Sequence, residues 1–383
     1  MRKPTFILPI IVVAQFCGTS LWFAGNAALP GLMAAHQWPA TTLGYLISSV
    51  QVGFIVGTFL FAWLGLTDRF NPSHVFFASC VAGAAINLLP WLAPSSFYGM
   101  LLSRVGVGLA LAGIYPVGMK LAADWQEQGL GHWLGLLVGA LVIGTALPHL
   151  LKVSSLFDNA PSLLLGVSIL AIAGGALVVG FVPAGPYRVR GSDFSFRKVA
   201  EAFLNRPFRK AALGYFGHMW ELYAFWAFLP FIVNHYGMVN GVTIHPLWLF
   251  VVIGLGGASS WWGGIWSKNV GNERVALYAL LLSGLCCLVS PLAWALPPML
   301  FLFFLCVWSM AVIADSPQFS TLVARHAAPS IRGSALTMVT CIGFSITIVS
   351  IQLLNALAHT MPAYLFLLLA PGPVLGALYL LRK

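Results

Sequence analysis

The chain has 383 residues, of which 60% are hydrophobic and only 7% charged, with a formal net charge of +10. A soluble globular domain carries about 25% charged residues, so these proportions exclude an ordinary water-soluble enzyme or binding module. The mean hydropathy of +0.91 marks a chain suited to lipid.

Apolar stretches long enough to cross a hydrocarbon core of about 30 Å recur from end to end. Twelve spans are predicted, at roughly 5–27, 42–66, 73–93, 96–122, 129–151, 161–183, 210–235, 246–267, 273–295, 298–322, 332–357 and 362–381. A backbone in hydrocarbon must satisfy its own hydrogen bonds, so each span is read as a helix. The reading is an all-α polytopic membrane protein.

The first span carries Gln15, Thr19, Trp22 and Asn26 at the spacing i, i+4, i+7, i+11, one stripe of a helix. The sequence LP at 29–30 is read as the end of its core. This span is too long, and too well followed by others, to be a cleaved signal peptide. After the second span comes GLTDRFNPSH (65–74), containing Asp68 and Arg69. The fourth span presents Arg104, Gly108, Leu111 and Tyr115, and YPVGMK (115–120) follows at its lower end. In the fifth, Gly135, Gly139 and Gly144 suit close helix contact.

The longest polar stretch, 184–209, divides the spans six and six. It separates an N-terminal half (1–183) from a C-terminal half (210–383). Its VAEAFL segment suits an interfacial helix whose basic neighbours meet anionic head groups; a solvated linker that only fixes topology is the alternative. The seventh span holds Gly214, His218, Glu221 and Phe225 on one stripe, with Trp220 beside them, and LP at 229–230 is read as its end. The tenth holds Trp308, Val312, Asp315 and Phe319, within which ADSPQFS places Pro317. All six cysteines fall within spans and none forms C-x-x-C, so neither a disulfide framework nor a zinc site is indicated.

The net charge alone would suit nucleic acid, but its distribution points to the membrane. With the N-terminus inside, every Lys and Arg except Lys152 and Arg104 falls on the cytoplasmic side, including Arg2, Lys3, Arg190 and Lys383. Both termini are therefore expected in the cytoplasm. The halves also resemble each other at an offset of about 200 residues, with YPVGMK aligned to DSPQFS, and duplicated six-helix halves are a recurring transporter plan.

Twelve spans, a basic central loop, the Asp68-Arg69 pair and IRGSAL (331–336) opening span eleven together resemble the major facilitator superfamily across nearly the whole chain. In the family's loop motif a glycine precedes Asp-Arg, and further glycine and basic residues follow. Here Gly65 is displaced by one and the downstream basic residues are missing. The nitrate porters' glycine-rich asparagine signature is absent, and so is the Gly-Pro-Gly-Gly core of the antiporter motif. The resemblance implies a rocker-switch carrier in which spans 1, 4, 7 and 10 line a central cavity. It assigns Asp68 and Arg69 to gating.

The ionisable residues deep in spans 4, 7 and 10 are expected to face protein or water, because lipid-facing positions reject them. At about 1.5 Å per residue, Glu221 lies roughly 16 Å into its span, near the midplane. Arg104 is a permanent planar donor suited to a carboxylate or phosphate. Candidate solute contacts are Arg104, Trp22, Asn26, Tyr115 and Trp220. Candidate proton carriers are Glu221, His218 and Asp315, since a carboxyl or imidazole can change charge by one proton. Other readings stay open: Arg104 and Glu221 as a neutralising pair, Asp315 as a cap for amides freed by Pro317 or a lock on the closed cytoplasmic gate, His218 as a packed, hydrogen-bonded histidine, and the aromatics as packing.

The function read from these residues is secondary transport of a small, polar, anionic organic solute across the inner membrane, coupled to protons. The expected partners are the solute, protons and lipid, with a monomer as the working unit and no cofactor. Proton-driven efflux of drugs or metabolites is the first rival, and a non-transporting receptor or assembly factor on a carrier fold is the second. A copper importer using His218, Met219, Met310, Met338 and Cys341 is a minor one. No Walker loop and no nucleophile–base pair stands out, which disfavours ATP drive and a membrane enzyme.

Overall fold

The computed structural model describes residues 6–39, 41–92, 96–126, 130–157, 159–188 and 194–382. Arg2, Lys3, Arg190 and Lys383 of the basic set, and 189–193 of the central stretch, lie outside these. The described chain is helical without strands, and twelve helical segments are long and apolar enough to cross a membrane. It divides into two compact units, Met1–Phe194 and Ser195–Lys383.

In the first unit, span one is split into α1 (Ile7–Thr19) and α2 (Ala24–His36). Span two is α3 (Thr42–Trp63), followed by the short α4 (Leu66–Arg69), and span three is α5 (Pro72–Leu92). Span four is split into α6 (Phe97–Ala112) and α7 (Tyr115–Trp125). Spans five and six are α8 (Leu130–Leu151) and α9 (Ala160–Phe181). In the second unit, α10 (Phe196–Ala202) precedes span seven, α11 (Arg206–Asn240), and span eight, α12 (Leu247–Val270). Span nine is α13 (Asn272–Val289) with a 3-10 turn over Ser290–Ala295. Span ten is split into α14 (Pro298–Ala314) and α15 (Ser316–His326). Spans eleven and twelve are α16 (Arg332–Leu357), then a 3-10 segment Pro362–Leu369 and α17 (Pro371–Leu381).

Two expected ends are corrected. Pro30 lies inside α2 and Pro230 inside α11, and both helices continue past them. Proline is tolerated in membrane helices because neighbouring groups satisfy the carbonyl it frees. The helices stop instead at left-handed caps: Gln37 (φ 53°) bonds back to Met33, and Gly241 (φ 64°) to Gly237. With 35 residues, α11 is about 52 Å long and overshoots the hydrocarbon at its ends.

The breaks in spans one, four and ten also correct the simple stripes, which assumed one continuous helix. In span one, the hydroxyls of Thr19 and Ser20 donate back to the carbonyls of Gln15 (2.8 Å) and Cys17 (2.6 Å), a pattern that bends helices. In spans four and ten a proline sits at the second position of the lower piece, Pro116 in α7 and Pro317 in α15. Proline is favoured there because its missing N–H has no helical partner in any case. The YP and SP motifs thus break the two halves within one residue of the same place. Span seven has no such break, so its stripe holds.

Within the first unit, α3 crosses α6 at glycines. A Cβ on Gly53 would lie 1.9 Å from the Val105 carbonyl oxygen, and one on Gly108 would lie 2.1 Å from that of Val50. This is the small-residue contact through which membrane helices gain van der Waals packing. In the second unit, α11 packs on α16 and α17, and α12 on α14. The linker is more than a solvated tether: Ser195 caps α10, Val199 is buried, and Phe196 and Leu204 stay exposed among basic residues.

Candidate functional site

In the first unit a cation lies deep within span four. Arg104, on α6, is 1% exposed. Its Nη2 donates to Asn87 Oδ1 on α5 at 2.9 Å. Asn87 in turn donates from Nδ2 to Ser168 Oγ (3.0 Å) and the Leu164 carbonyl (3.1 Å) on α9. The guanidinium is therefore oriented by a neutral amide that is itself held on two sides. Its Nε and Nη1 have no hydrogen-bond partner among the described residues. A cation buried without a counter-charge is costly, so its retention calls for an explanation.

Gly25 on α2 borders this group, since a Cβ there would approach Arg104 Cδ to 3.1 Å and Nη1 to 3.3 Å. Asn26 follows, half-buried, with its Nδ2 unpartnered among the described residues. Trp22 lies in the break of span one, with its ring 4.8 Å from Phe54. Tyr115 begins α7, half-buried, well below Arg104 on the chain.

The second unit buries two acidic groups, Glu221 and Asp315. Glu221 Oε1 accepts from Trp308 Nε1 on α14 at 2.6 Å and from Cys287 Sγ on α13 at 3.3 Å, while Oε2 has no partner among the described residues. One turn earlier on α11, His218 Nδ1 lies 2.7 Å from Asp315 Oδ1, and both side chains are shielded from solvent. This is an ion pair whenever the imidazole is protonated. Asp315 occupies the junction of α14 and α15 but makes no side-chain cap there, which corrects the capping alternative. Arg104 and Glu221 each find hydrogen-bonding partners inside their own unit.

Trp220 donates Nε1 to the Leu368 carbonyl at 3.1 Å, fastening α11 to the Pro362–Leu369 segment. Asp68 pairs with Lys120 on α7, and Arg69 is exposed. Among the described residues, no group of three or more His, Cys, Asp or Glu is arranged to hold a metal.

Sequence reasoning missed Asn87, Lys120 and Cys287. Lys120 was legible in part, since MKLAAD places Lys120 and Asp124 at i, i+4 on one helix face. Asn87 and Cys287 carry no local signal.

Twelve helices long and apolar enough to span, with polar groups buried inside each six-helix unit and broken helices beside them, mark a polytopic membrane protein. The Major Facilitator Superfamily profile matches residues 11–351, and the chain belongs to that family. The uncharacterized MFS-type transporter YcaD of Escherichia fergusonii is 25% identical over 375 residues, covering 94% of this chain and 91% of its own. Its Salmonella dublin namesake is 23% identical over 347 residues, 85% of each chain. Among solved structures, the proton:xylose symporter XylE bound to 6-bromo-6-deoxy-D-glucose aligns with a TM-score of 0.76 at 13% identity, covering 98% of this chain and 95% of its own. The human organic anion transporter MFSD10 (TETRAN) aligns at 0.73 with 16% identity, covering 99% of this chain and all of its own. At such identities the likeness to these structures is one of fold.

Proposed function

We propose that this carrier moves a small, polar, anionic organic solute across the inner membrane by alternating access, coupled to protons, with both termini in the cytoplasm. The observation that carries the reading is Arg104: a permanent cation, almost fully buried, oriented by Asn87 and left with two donor nitrogens unpartnered. An incoming carboxylate supplies the missing counter-charge and accepts those donors. Asn26 and Trp22, on the neighbouring span, add a polar and an aromatic contact, and Tyr115 takes part from below. Trp220 acts indirectly, by seating α11.

Proton exchange is assigned to the second unit, where Glu221 and the His218–Asp315 pair can each change charge by one proton. Of the two structural relatives, one is a proton symporter and the other an organic anion transporter, and this reading combines both features. Asp68 and Arg69 are assigned to gating. The aromatic cluster of Phe225, Trp308 and Phe366, with centroids 4.8–5.3 Å apart, favours export of amphipathic anions as a second reading.

A thermal-shift screen of purified protein against small carboxylates, neutral sugars and organic cations tests the proposal. Stabilisation by carboxylates alone is expected, and a response confined to cations or sugars would remove Arg104 from solute binding. Flux of the stabilising carboxylate into proteoliposomes then separates carrier from receptor. The direction of net accumulation separates uptake from export.

A further inference from the structure

The central stretch begins as an integral part of the first unit. Ser73 Oγ donates to the Val182 carbonyl at 2.6 Å, Trp125 Nε1 to that of Pro183 at 3.1 Å, and the Tyr187 amide to that of Asp124 at 3.0 Å. Gly185 passes so close to α7 that a Cβ would lie 2.2 Å from the Asp124 carbonyl oxygen, so only glycine fits. This path delivers Arg188 to the loop after span two. Its Nη2 lies 2.8 Å from the Phe70 carbonyl, 3.2 Å from that of Thr67 and 3.3 Å from that of Asp68.

Those carbonyls end the four-residue α4, where no further helical turn can satisfy them. A basic side chain is the favoured partner at such an end. On the other side of the loop, the Asp68 carboxylate pairs with Lys120. Asp124, one turn further along α7 and buried, lies within electrostatic reach of Lys120, Arg188 and Asp68. Two acids and two bases from three distant parts of the sequence therefore meet at this corner. Gly65 opens the loop in the left-handed region (φ 59°), a geometry glycine adopts without strain.

The loop itself supplies only Asp68 and Arg69, and the basic residues that would follow them in the family's motif are absent. Here the cations come through space, Lys120 from α7 and Arg188 from the central stretch. We propose that Arg188 is the positioning residue of this loop: by capping the carbonyls of Thr67, Asp68 and Phe70, it holds the Asp68 carboxylate against Lys120. The central stretch thus sets the conformation of the loop. Only the consequence for turnover rests on the gating role assigned to Asp68.

Hydrogen exchange on the full-length protein in nanodiscs reads this directly. The amides of Asp68, Arg69 and Phe70 bond within the loop to Gly65 and Leu66. Arg188→Ala should speed exchange of a peptide covering these amides by about tenfold, the scale of one charged hydrogen bond. Peptides from α8 and α9 should be unchanged. Arg188→Lys should recover part of the protection. Adding Phe70→Arg, at an exposed position, should restore protection to Arg188→Ala by returning a guanidinium to the loop, which a packing role would not allow. Asp68→Asn combined with Arg188→Ala should exchange no faster than the faster single variant.

Unchanged exchange in Arg188→Ala overturns the proposal, as does acceleration spread through the whole first unit, or strict additivity with Asp68→Asn. If Arg188→Ala does not yield folded protein, Arg188→Gln carries the same comparison. If the loop responds as expected while turnover of the carboxylate found by screening is untouched, the positioning role stands and the gating role of Asp68 fails.

Discussion

Replacing Glu221 with glutamine separates charge from hydrogen bonding at the centre of the second unit. The glutamine oxygen can still accept from Trp308 Nε1 and Cys287 Sγ, so the buried indole donor stays satisfied. Folding should change by no more than about 1 kcal/mol, in contrast to Glu221→Leu, which strands that donor at a cost of about 1–3 kcal/mol. The functional effect should be far larger. A gradient of one pH unit stores about 1.4 kcal/mol per proton, enough for about tenfold accumulation when one proton accompanies one solute. In proteoliposomes, Glu221→Gln should hold the internal-to-external ratio near one under that gradient while still exchanging labelled for unlabelled solute. A melting curve run in parallel should show Glu221→Gln close to the parent and Glu221→Leu below it. Tenfold accumulation persisting in Glu221→Gln would refute the coupling role. Coupling would then pass to the His218–Asp315 pair, leaving Glu221 as an acceptor for Trp308.

Two further outcomes follow from the first unit. Arg104→Lys keeps the charge but loses the planar donor set, so solute binding should weaken by about 1.5–3 kcal/mol; titration calorimetry measures it, and normal affinity in a folded Arg104→Ala protein would restrict Arg104 to a structural role. Gly108→Ala places a Cβ 2.1 Å from the Val50 carbonyl oxygen, forcing α3 and α6 apart. A loss of about 1–3 kcal/mol, seen as a lower melting temperature in detergent, is expected, and an unchanged melting temperature would mean that this crossing is loosely packed.

The spans were legible because hydropathy is summed over some twenty residues, so single errors average out. Their ends were less so. Pro30 and Pro230 looked like stops, but in lipid a proline need not end a helix, and the true stops at Gln37 and Gly241 depend on backbone geometry. The breaks in spans four and ten were hinted at by YP and SP, whereas the break in span one, where Thr19 and Ser20 hydroxyls bond back to the chain, has no proline to announce it. Glu221, Arg104 and Asp315 stood out because charge is rare in hydrocarbon. Their partners did not: Asn87, Cys287 and the loop-capping Arg188 are ordinary residues made significant by contacts across 17, 66 and about 120 positions. No local pattern encodes such distances.

Those separations bear on how the chain is made. Arg104 enters the translocon with Asn87 already synthesised, but the amide of Asn87 acquires Leu164 and Ser168 only when span six arrives. Glu221 waits longer, since the indole that meets it lies 87 residues downstream. At synthesis rates of about 5–20 residues per second, that interval lasts roughly 4–17 s. Throughout it, span seven carries a carboxyl group with no completed site, and it must lie beside water, the insertion machinery or another helix until span ten is in place. The second unit therefore has a built-in order of assembly, in which its most polar helix is delivered first and secured late.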